Sequence, residues 1–326
     1  MADGAPAKAI DSETTGETTV ATTFTAPRFI LFEGEVVPYA EARIHVLSPA
    51  LKYGVAVFEG FCGYWHDGQL LTFRMRDHLR RLRASLDMAG LDYERDVYTL
   101  EEDVHQLIRA NEYEQNIHMR LQIFLAADDG TPEDSGPTIT SISAVPVKSY
   151  FERPILNLGI SSWSRISDRS FPPRMKSIAN YHNGRLASVE AKRNGYDAPL
   201  MLNDSGRIAE GFGYNIVFVK DGRLITPAVT ESILEGITRD TILRLASEEL
   251  DLVVEERPVD RTEIYSMDEA FVCGSAAEVT TVGSIDGHAF VDGRSGEITT
   301  RLRDLYLEVA RGQACHDRGW VSPVYA

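Results

Sequence analysis

The chain reads as an α+β protein of two domains. It has 326 residues, more than a single core usually needs. Its first half interleaves turn-bounded apolar strands with two helical stripes, and a Pro-flanked connector near residue 150 separates it from a second half where the pattern restarts.

Residues 1–27 contain a Thr, Glu and Ser-rich stretch, with no basic start or apolar core, and are expected to be a disordered tail rather than a signal peptide. Phe29, Ile30, Leu31 and Phe32 predict a strand that turns at Glu33-Gly34 and returns through Val36 and Val37. Residues 61–65 and 69–73 flank Asp67-Gly68, the dipeptide suited to a tight type I′ turn, and predict a second hairpin. Leu79, Leu82, Leu86 and Ala89 then recur at helical spacing, as do Val104, Leu107 and Ile108. Residues 119–125 and 139–145 read as neighbouring strands joined by a polar loop at 127–137. These elements make a small first domain at 28–147, followed by a linker at 148–154 and a larger domain at 155–326.

The larger domain opens with a strand at 155–162. A helix is expected at 183–194, closed by Gly195, with turns at 203–206 and at Asp221-Gly222. Thr238 starts another helix with a buried stripe of Ile242, Leu245, Ala246 and Leu250, and residues 270–273 read as an apolar strand.

The charge balance is 33 Lys plus Arg against 49 Asp plus Glu, a formal charge of -16, which repels nucleic acid and anionic membranes. No apolar run is long enough to span a bilayer. Three widely spaced cysteines, Cys62, Cys273 and Cys315, give no disulfide framework, and a cytoplasmic location is expected. The eight histidines show no metal-ligand spacing, and no G-x-S-x-G elbow presents a serine nucleophile, so neither a metal site nor a serine hydrolase is expected.

Two segments carry weak anion signals. Gly236-Ile237-Thr238-Arg239 places free backbone N–H groups at a helix start, and Gly274-Ser275-Ala276-Ala277 follows an apolar strand with small residues that admit close approach. From spacing alone the first is more often just a capped helix, and the second reads equally as a tight turn. Lys176, in Met175-Lys176-Ser177-Ile178-Ala179-Asn180-Tyr181, would ordinarily be a solvated lysine.

Taken in order, the segment at 53–60 (Tyr-Gly-Val-Ala-Val-Phe-Glu-Gly), Lys176 with Asn180-Tyr181, Glu210-Gly211-Phe212-Gly213-Tyr214-Asn215, Gly236-Ile237-Thr238-Arg239 and Gly274-Ser275-Ala276-Ala277-Glu278 resemble the signatures of branched-chain aminotransferases. These are fold-type IV pyridoxal 5'-phosphate enzymes with a D-amino acid aminotransferase-like fold, the cofactor lying between a smaller and a larger domain. The resemblance implies that Lys176 carries the cofactor as a Schiff base and shuttles a proton between the substrate α-carbon and cofactor C4'. It implies that Glu210 pairs with the pyridine nitrogen, Tyr181 with the 3'-oxygen, and Leu234 with one ring face. Arg81, the N–H groups of Ile237 and Thr238, and the Ser275 hydroxyl are implied as phosphate ligands.

On the substrate side the resemblance implies Tyr53, Phe58 and Gly60 in the side-chain pocket, Ala276 near the α-carboxylate, and Arg120 as receptor of a glutamate side-chain carboxylate. His118 stands where these enzymes usually carry Tyr, and Cys62 where they carry Arg. His118 and Arg120 are expected on one face of a strand as a cationic pair. The implied activity is amino transfer between an amino acid, favouring branched-chain L-amino acids, and a 2-oxo acid such as 2-oxoglutarate. The alternatives on this fold are an (R)-selective amine or D-amino acid transaminase, an aminodeoxychorismate-type lyase, or a non-catalytic cofactor-binding protein. In relatives Tyr53 and the 127–137 loop reach into a neighbouring subunit's pocket, which implies a homodimer or an oligomer built from dimers.

Overall fold

The computed structural model describes residues 26–126, 130–147 and 150–325. The expected tail at 1–27 therefore lies outside them up to residue 25, as do residues 127–129 of the polar loop and 148–149 of the connector.

In chain order the first elements are β1 (Phe29–Phe32), β2 (Glu35–Pro38), α1 (Pro49–Tyr53), β3 (Ala56–His66), β4 (Gln69–Phe73), α2 (Met75–Ala89), α3 (Val97–Asn111), β5 (Ile117–Leu125) and β6 (Thr138–Pro146). Next come β7 (Ile155–Ile160), α4 (Ile178–Arg193), β8 (Ala198–Leu200), β9 (Asn215–Lys220), β10 (Arg223–Pro227), α5 (Ile237–Glu249) and β11 (Val254–Arg257). The last are β12 (Glu269–Gly274), β13 (Glu278–Ile285), β14 (His288–Ala289), α6 (Glu297–Ala310) and β15 (Val321–Pro323).

A seven-stranded sheet runs β15-β4-β3-β5-β6-β1-β2, and every neighbouring pair in it is antiparallel. The carboxy-terminal end of the chain thus returns to the first sheet. An eight-stranded sheet runs β11-β10-β9-β12-β13-β7-β8 with β14 beside β13, and three of its pairings, β10 with β11, β13 with β7 and β7 with β8, are parallel.

The β3–β4 turn has φ 48° at Asp67 and 75° at Gly68, the pair of positive dihedrals that the type I′ hairpin requires. α2 ends on Gly90 at φ 65°, a left-handed cap that frees the chain to leave the helix. Leu79, Leu82 and Leu86 of α2, with Val104, Leu107 and Ile108 of α3, pack on Phe61, Met119, Leu121 and Ile123 of the first sheet.

The second sheet is covered on both faces. Alternation along β12 sends Ala270 and Val272 to one core, and Phe271 and Cys273 to another shared with Ile242 and Leu245 of α5 and Leu302 and Tyr306 of α6. Tyr64 and Phe73 of the first sheet join that second cluster, so the two sheets share a core there.

α4 begins at Ile178, five residues before the expected start. Its buried face is Asn180, Gly184, Ala187 and Ala191, too small and polar to give an apolar period. Close packing explains it, because a Cβ at Gly184 would meet Phe212 Cδ2 at 2.5 Å.

Candidate active site

The segment Met175-Lys176-Ser177, between β7 and α4, is hydrogen-bonded to β3 and to α2. Phe58 N donates to Lys176 O at 2.9 Å, Ser177 Oγ donates to Ala56 O at 3.1 Å, and Lys176 N donates to Ser85 Oγ of α2 at 3.2 Å. These bonds fix where the lysine leaves the chain, at the wall of a cleft with about 630 Å³ of empty space. Arg81, Lys176, Tyr181, Glu210, Leu234, Ile237, Thr238 and Ser275 all line this one cleft. Lys176 Nζ lies 2.7 Å from the Tyr181 hydroxyl and 5.0 Å from the centre of the Phe58 ring.

One end of the cleft is acidic. Glu210 is buried, and its Oε1 accepts from Arg165 Nε at 2.8 Å while Oε2 accepts from Asn215 Nδ2 and Leu234 N, both at 3.0 Å. Burial raises this carboxyl above its ordinary value, and the Arg165 guanidinium opposes the rise. Asn215 closes the motif that Glu210 opens, but Arg165 had no signal pointing to this role, being 45 residues from Glu210 in sequence.

The other end is built for an anion. α5 starts at Ile237 with Gly236 as its N-cap and no side-chain cap, so its first N–H groups face the cleft with the positive end of the helix behind them. Gly236 is required here, because a Cβ would meet Asn215 Oδ1 at 2.0 Å. Arg81 brings its guanidinium from α2, held by Glu59 of β3 through Nε at 2.7 Å and Nη2 at 2.8 Å.

Glu59 has no solvent exposure and also accepts from His78 Nδ1 at 2.7 Å. Burial alone would raise its carboxyl, but Arg81 and His78 hold it well below the usual carboxylate range. Since an ionised carboxylate only accepts, His78 donates from Nδ1, and its Nε2 lies 3.4 Å from Ser275 Oγ. Glu59 and His78 were visible in the sequence as parts of Phe58-Glu59-Gly60 and Asp77-His78-Leu79, yet only the fold brings them together.

The substrate-side residues divide. Arg120 stacks 4.0 Å over the Phe58 ring, and Phe58 meets Tyr181 edge-on at 4.7 Å, so both approach Lys176. Gly60 faces His118, whose Nε2 would lie 3.1 Å from a Cβ at that position. Ala276 borders an adjoining cavity with Cys62, whose thiol donates to Ser275 O at 3.0 Å. Tyr53 is 52% exposed at the end of α1 and does not line this chain's cleft. The expected cationic pair of His118 and Arg120 is corrected: burial, reinforced by Lys176 and Arg120, pushes the His118 imidazole down to about 4, so it is neutral at physiological pH.

An uncapped helix start, a guanidinium and a hydroxyl at one end, a buried carboxylate at the other and a lysine between them suit a ligand with a phosphate and a basic ring nitrogen at opposite ends. That is the shape and charge of pyridoxal 5'-phosphate.

Comparison with known proteins agrees. The amino-transferase class IV family matches residues 56–285. A probable branched-chain-amino-acid aminotransferase of Aquifex aeolicus is 36% identical over 302 residues, covering 91% of this chain and 97% of the relative. The branched-chain-amino-acid aminotransferase of Escherichia coli K12 is 37% identical over 304 residues, with the same coverage of 91% and 97%. A crystal structure of the branched-chain amino acid aminotransferase of Thermobaculum terrenum in its PLP form superposes with a TM-score of 0.87 at 41% identity, covering 92% of this chain and 99% of that one. The chain belongs to the class IV aminotransferases, enzymes that work with pyridoxal 5'-phosphate.

Proposed function

We propose that this protein is a branched-chain-amino-acid aminotransferase, which moves an amino group between a branched-chain L-amino acid and a 2-oxo acid such as 2-oxoglutarate. The observation that carries the reading is the convergence of Lys176, Tyr181 and Glu210 on one cleft, in a chain that matches enzymes of that name over nine-tenths of its length.

When bound, pyridoxal 5'-phosphate supplies an electron-accepting ring that stabilises negative charge developing at the substrate α-carbon. Arg81, the Ile237 and Thr238 N–H groups and the Ser275 hydroxyl would hold its phosphate, Glu210 its ring nitrogen, Tyr181 its 3'-oxygen and Leu234 one ring face. Lys176 is the covalent anchor and the base that takes the proton from the substrate α-carbon. The Tyr181 hydroxyl, 2.7 Å from Nζ, orients that amine. Phe58 and Gly60 shape the side-chain pocket, the Ala276 N–H and neutral His118 serve the α-carboxylate, and Arg120 receives the second carboxylate of an acidic substrate.

The active unit is a homodimer in this reading. Ile44, Val46, Leu47, Leu51 and Tyr53 expose a run of apolar side chains beside the first sheet, which a second copy would cover while bringing its Tyr53 to the neighbouring pocket. Light scattering on active enzyme is expected to give a dimer or a multiple of it; an active monomer contradicts the reading. The cysteines are unpaired, which fits a cytoplasmic location, and among the described residues no helix is long and apolar enough to cross a membrane.

A donor panel with 2-oxoglutarate as acceptor tests the substrate. Leucine, isoleucine and valine are expected to yield their 2-oxo acids and glutamate, whereas a D-amino acid and an (R)-aromatic amine yield no glutamate. Conversion by the D-amino acid or the amine alone refutes the assignment.

A further inference from the structure

Arg165 links the two chain segments that frame the cleft. It follows β7, with its backbone N donating to Leu202 O at 2.7 Å, and its guanidinium donates to Glu210 Oε1 at 2.8 Å and to Asn180 Oδ1 at 2.6 Å. Asn180 lies in the first turn of α4, four residues after Lys176, so one side chain ties the lysine segment to the acid. The side chains of Arg165 and Glu210 are only 8% and 6% exposed, so the carboxylate depends mainly on its protein donors for stabilisation.

A carboxylate offers about four acceptor positions. Arg165 fills one on Oε1, while Asn215 and Leu234 fill two on Oε2, so one position on Oε1 has no donor among the described residues. The charged groups acting on Glu210 are Arg165 in direct contact, Lys176 across the cleft, and Arg81 at its far end. Only the first is hydrogen-bonded to it. Asn215 and the Leu234 N–H are neutral donors and oppose desolvation less strongly than a contact guanidinium does.

We propose that Arg165 is a positioning residue for amino transfer, holding the Glu210 carboxylate ionised and oriented so that its one remaining acceptor position is presented to the ring nitrogen. This rests on the reading of Glu210 as the ring-nitrogen partner. The first readout below nonetheless reports Glu210 in the cofactor-free chain, so the two ideas fail separately. Breaking a buried pair by removing one partner leaves an uncompensated charge, and the group neutralises instead. Without Arg165, burial therefore drives Glu210 to its protonated form, which cannot stabilise a protonated ring.

The test compares the wild-type chain with Arg165→Met and Arg165→Lys. Infrared absorption of the cofactor-free protein follows the protonated carboxyl of Glu210 across pH, with the band assigned by its loss in Glu210→Gln. Pyridoxal 5'-phosphate affinity is measured over the same range. In Arg165→Met the band is expected to titrate on the order of two pH units higher than in wild type. The cofactor Kd at neutral pH should weaken at least tenfold and recover as the pH rises and the carboxylate re-forms, and Arg165→Lys should restore most of both. An unchanged titration in Arg165→Met overturns the proposal, as does a Kd loss that is independent of pH and not rescued by lysine. Should Arg165→Met fail to fold, the wild type decides: a Glu210 carboxyl already protonated at pH 7 overturns it, and an ionised one supports it.

Discussion

Lys176 Nζ donates to the Tyr181 hydroxyl at 2.7 Å, a bond made across the start of α4 with the Phe58 ring packed against both side chains. The lysine is thus held in one place by its backbone bonds to Phe58 of the first sheet and Ser85 of α2, and by the polar contact at its tip. Tyr181→Phe removes that contact and keeps the ring. Leaving a partly buried amine without its partner costs about 1–3 kcal/mol, so turnover is expected to fall by about 5- to 100-fold with little change in melting temperature. Turnover within threefold of wild type would mean that Tyr181 does not orient the amine.

Glu59→Gln should destabilise the fold as well as the anion end of the cleft. Glu59 is wholly buried between Arg81 and His78, and removing one partner of a buried pair costs about 3–5 kcal/mol. Its folded carboxyl is depressed below the ordinary value of 4.5, so its contribution is fully present above that pH and is lost as the pH falls below it. Urea midpoints measured from pH 3 to 7 should fall with acid in the wild type and respond less in Glu59→Gln. Parallel curves for the two proteins would contradict the pairing.

His118 contributes a second acid sensitivity of the same sign. Its folded value of about 4 lies below the ordinary 6.5, so the unfolded chain binds the extra proton between those values, and stability drops as the pH falls through that window. The loss is on the order of 3 kcal/mol at most, and His118→Gln should remove it. Activity toward acidic substrates should show no titration of His118 between pH 6 and 9. A profile that loses activity in that range and is flattened by His118→Gln would show the imidazole to be protonated in the working enzyme.

Arg120→Ala separates the two halves of the substrate reading. Arg120 donates from Nε to Gln122 Oε1 at 3.1 Å and stacks on Phe58, so it is held in place beside that ring. Loss of a charge-assisted contact of about 2–3 kcal/mol should raise the KM for 2-oxoglutarate by about 30- to 150-fold, while small apolar 2-oxo acids change by less than about threefold. Equal losses for both acceptors would make Arg120 a packing residue.

Local features of the fold were legible where a short-range rule decides them. Asp67-Gly68 specifies its hairpin by the dihedrals those two residues tolerate, and Leu79, Leu82 and Leu86 mark α2 by spacing. The start of α4 was not, because Asn180, Gly184 and Ala187 give no apolar period. The return of β15 to β4, across some 250 residues, leaves no local trace.

The same division runs through the site. Lys176, Tyr181 and Glu210 stood out through motif resemblance, whereas Arg165 stood in no motif, and the partnership of Glu59 with His78 and Arg81 needs β3 and α2 to be packed before it exists. The neutral state of His118 follows from burial, which strand alternation cannot report.

The most direct test of the central claim is to reduce the cofactor-loaded protein with borohydride and map the labelled peptide. The label is expected on Lys176, and Lys176→Ala should fold with a melting temperature near that of wild type, take no label and show no turnover. Label on another lysine, or turnover in Lys176→Ala, would contradict it.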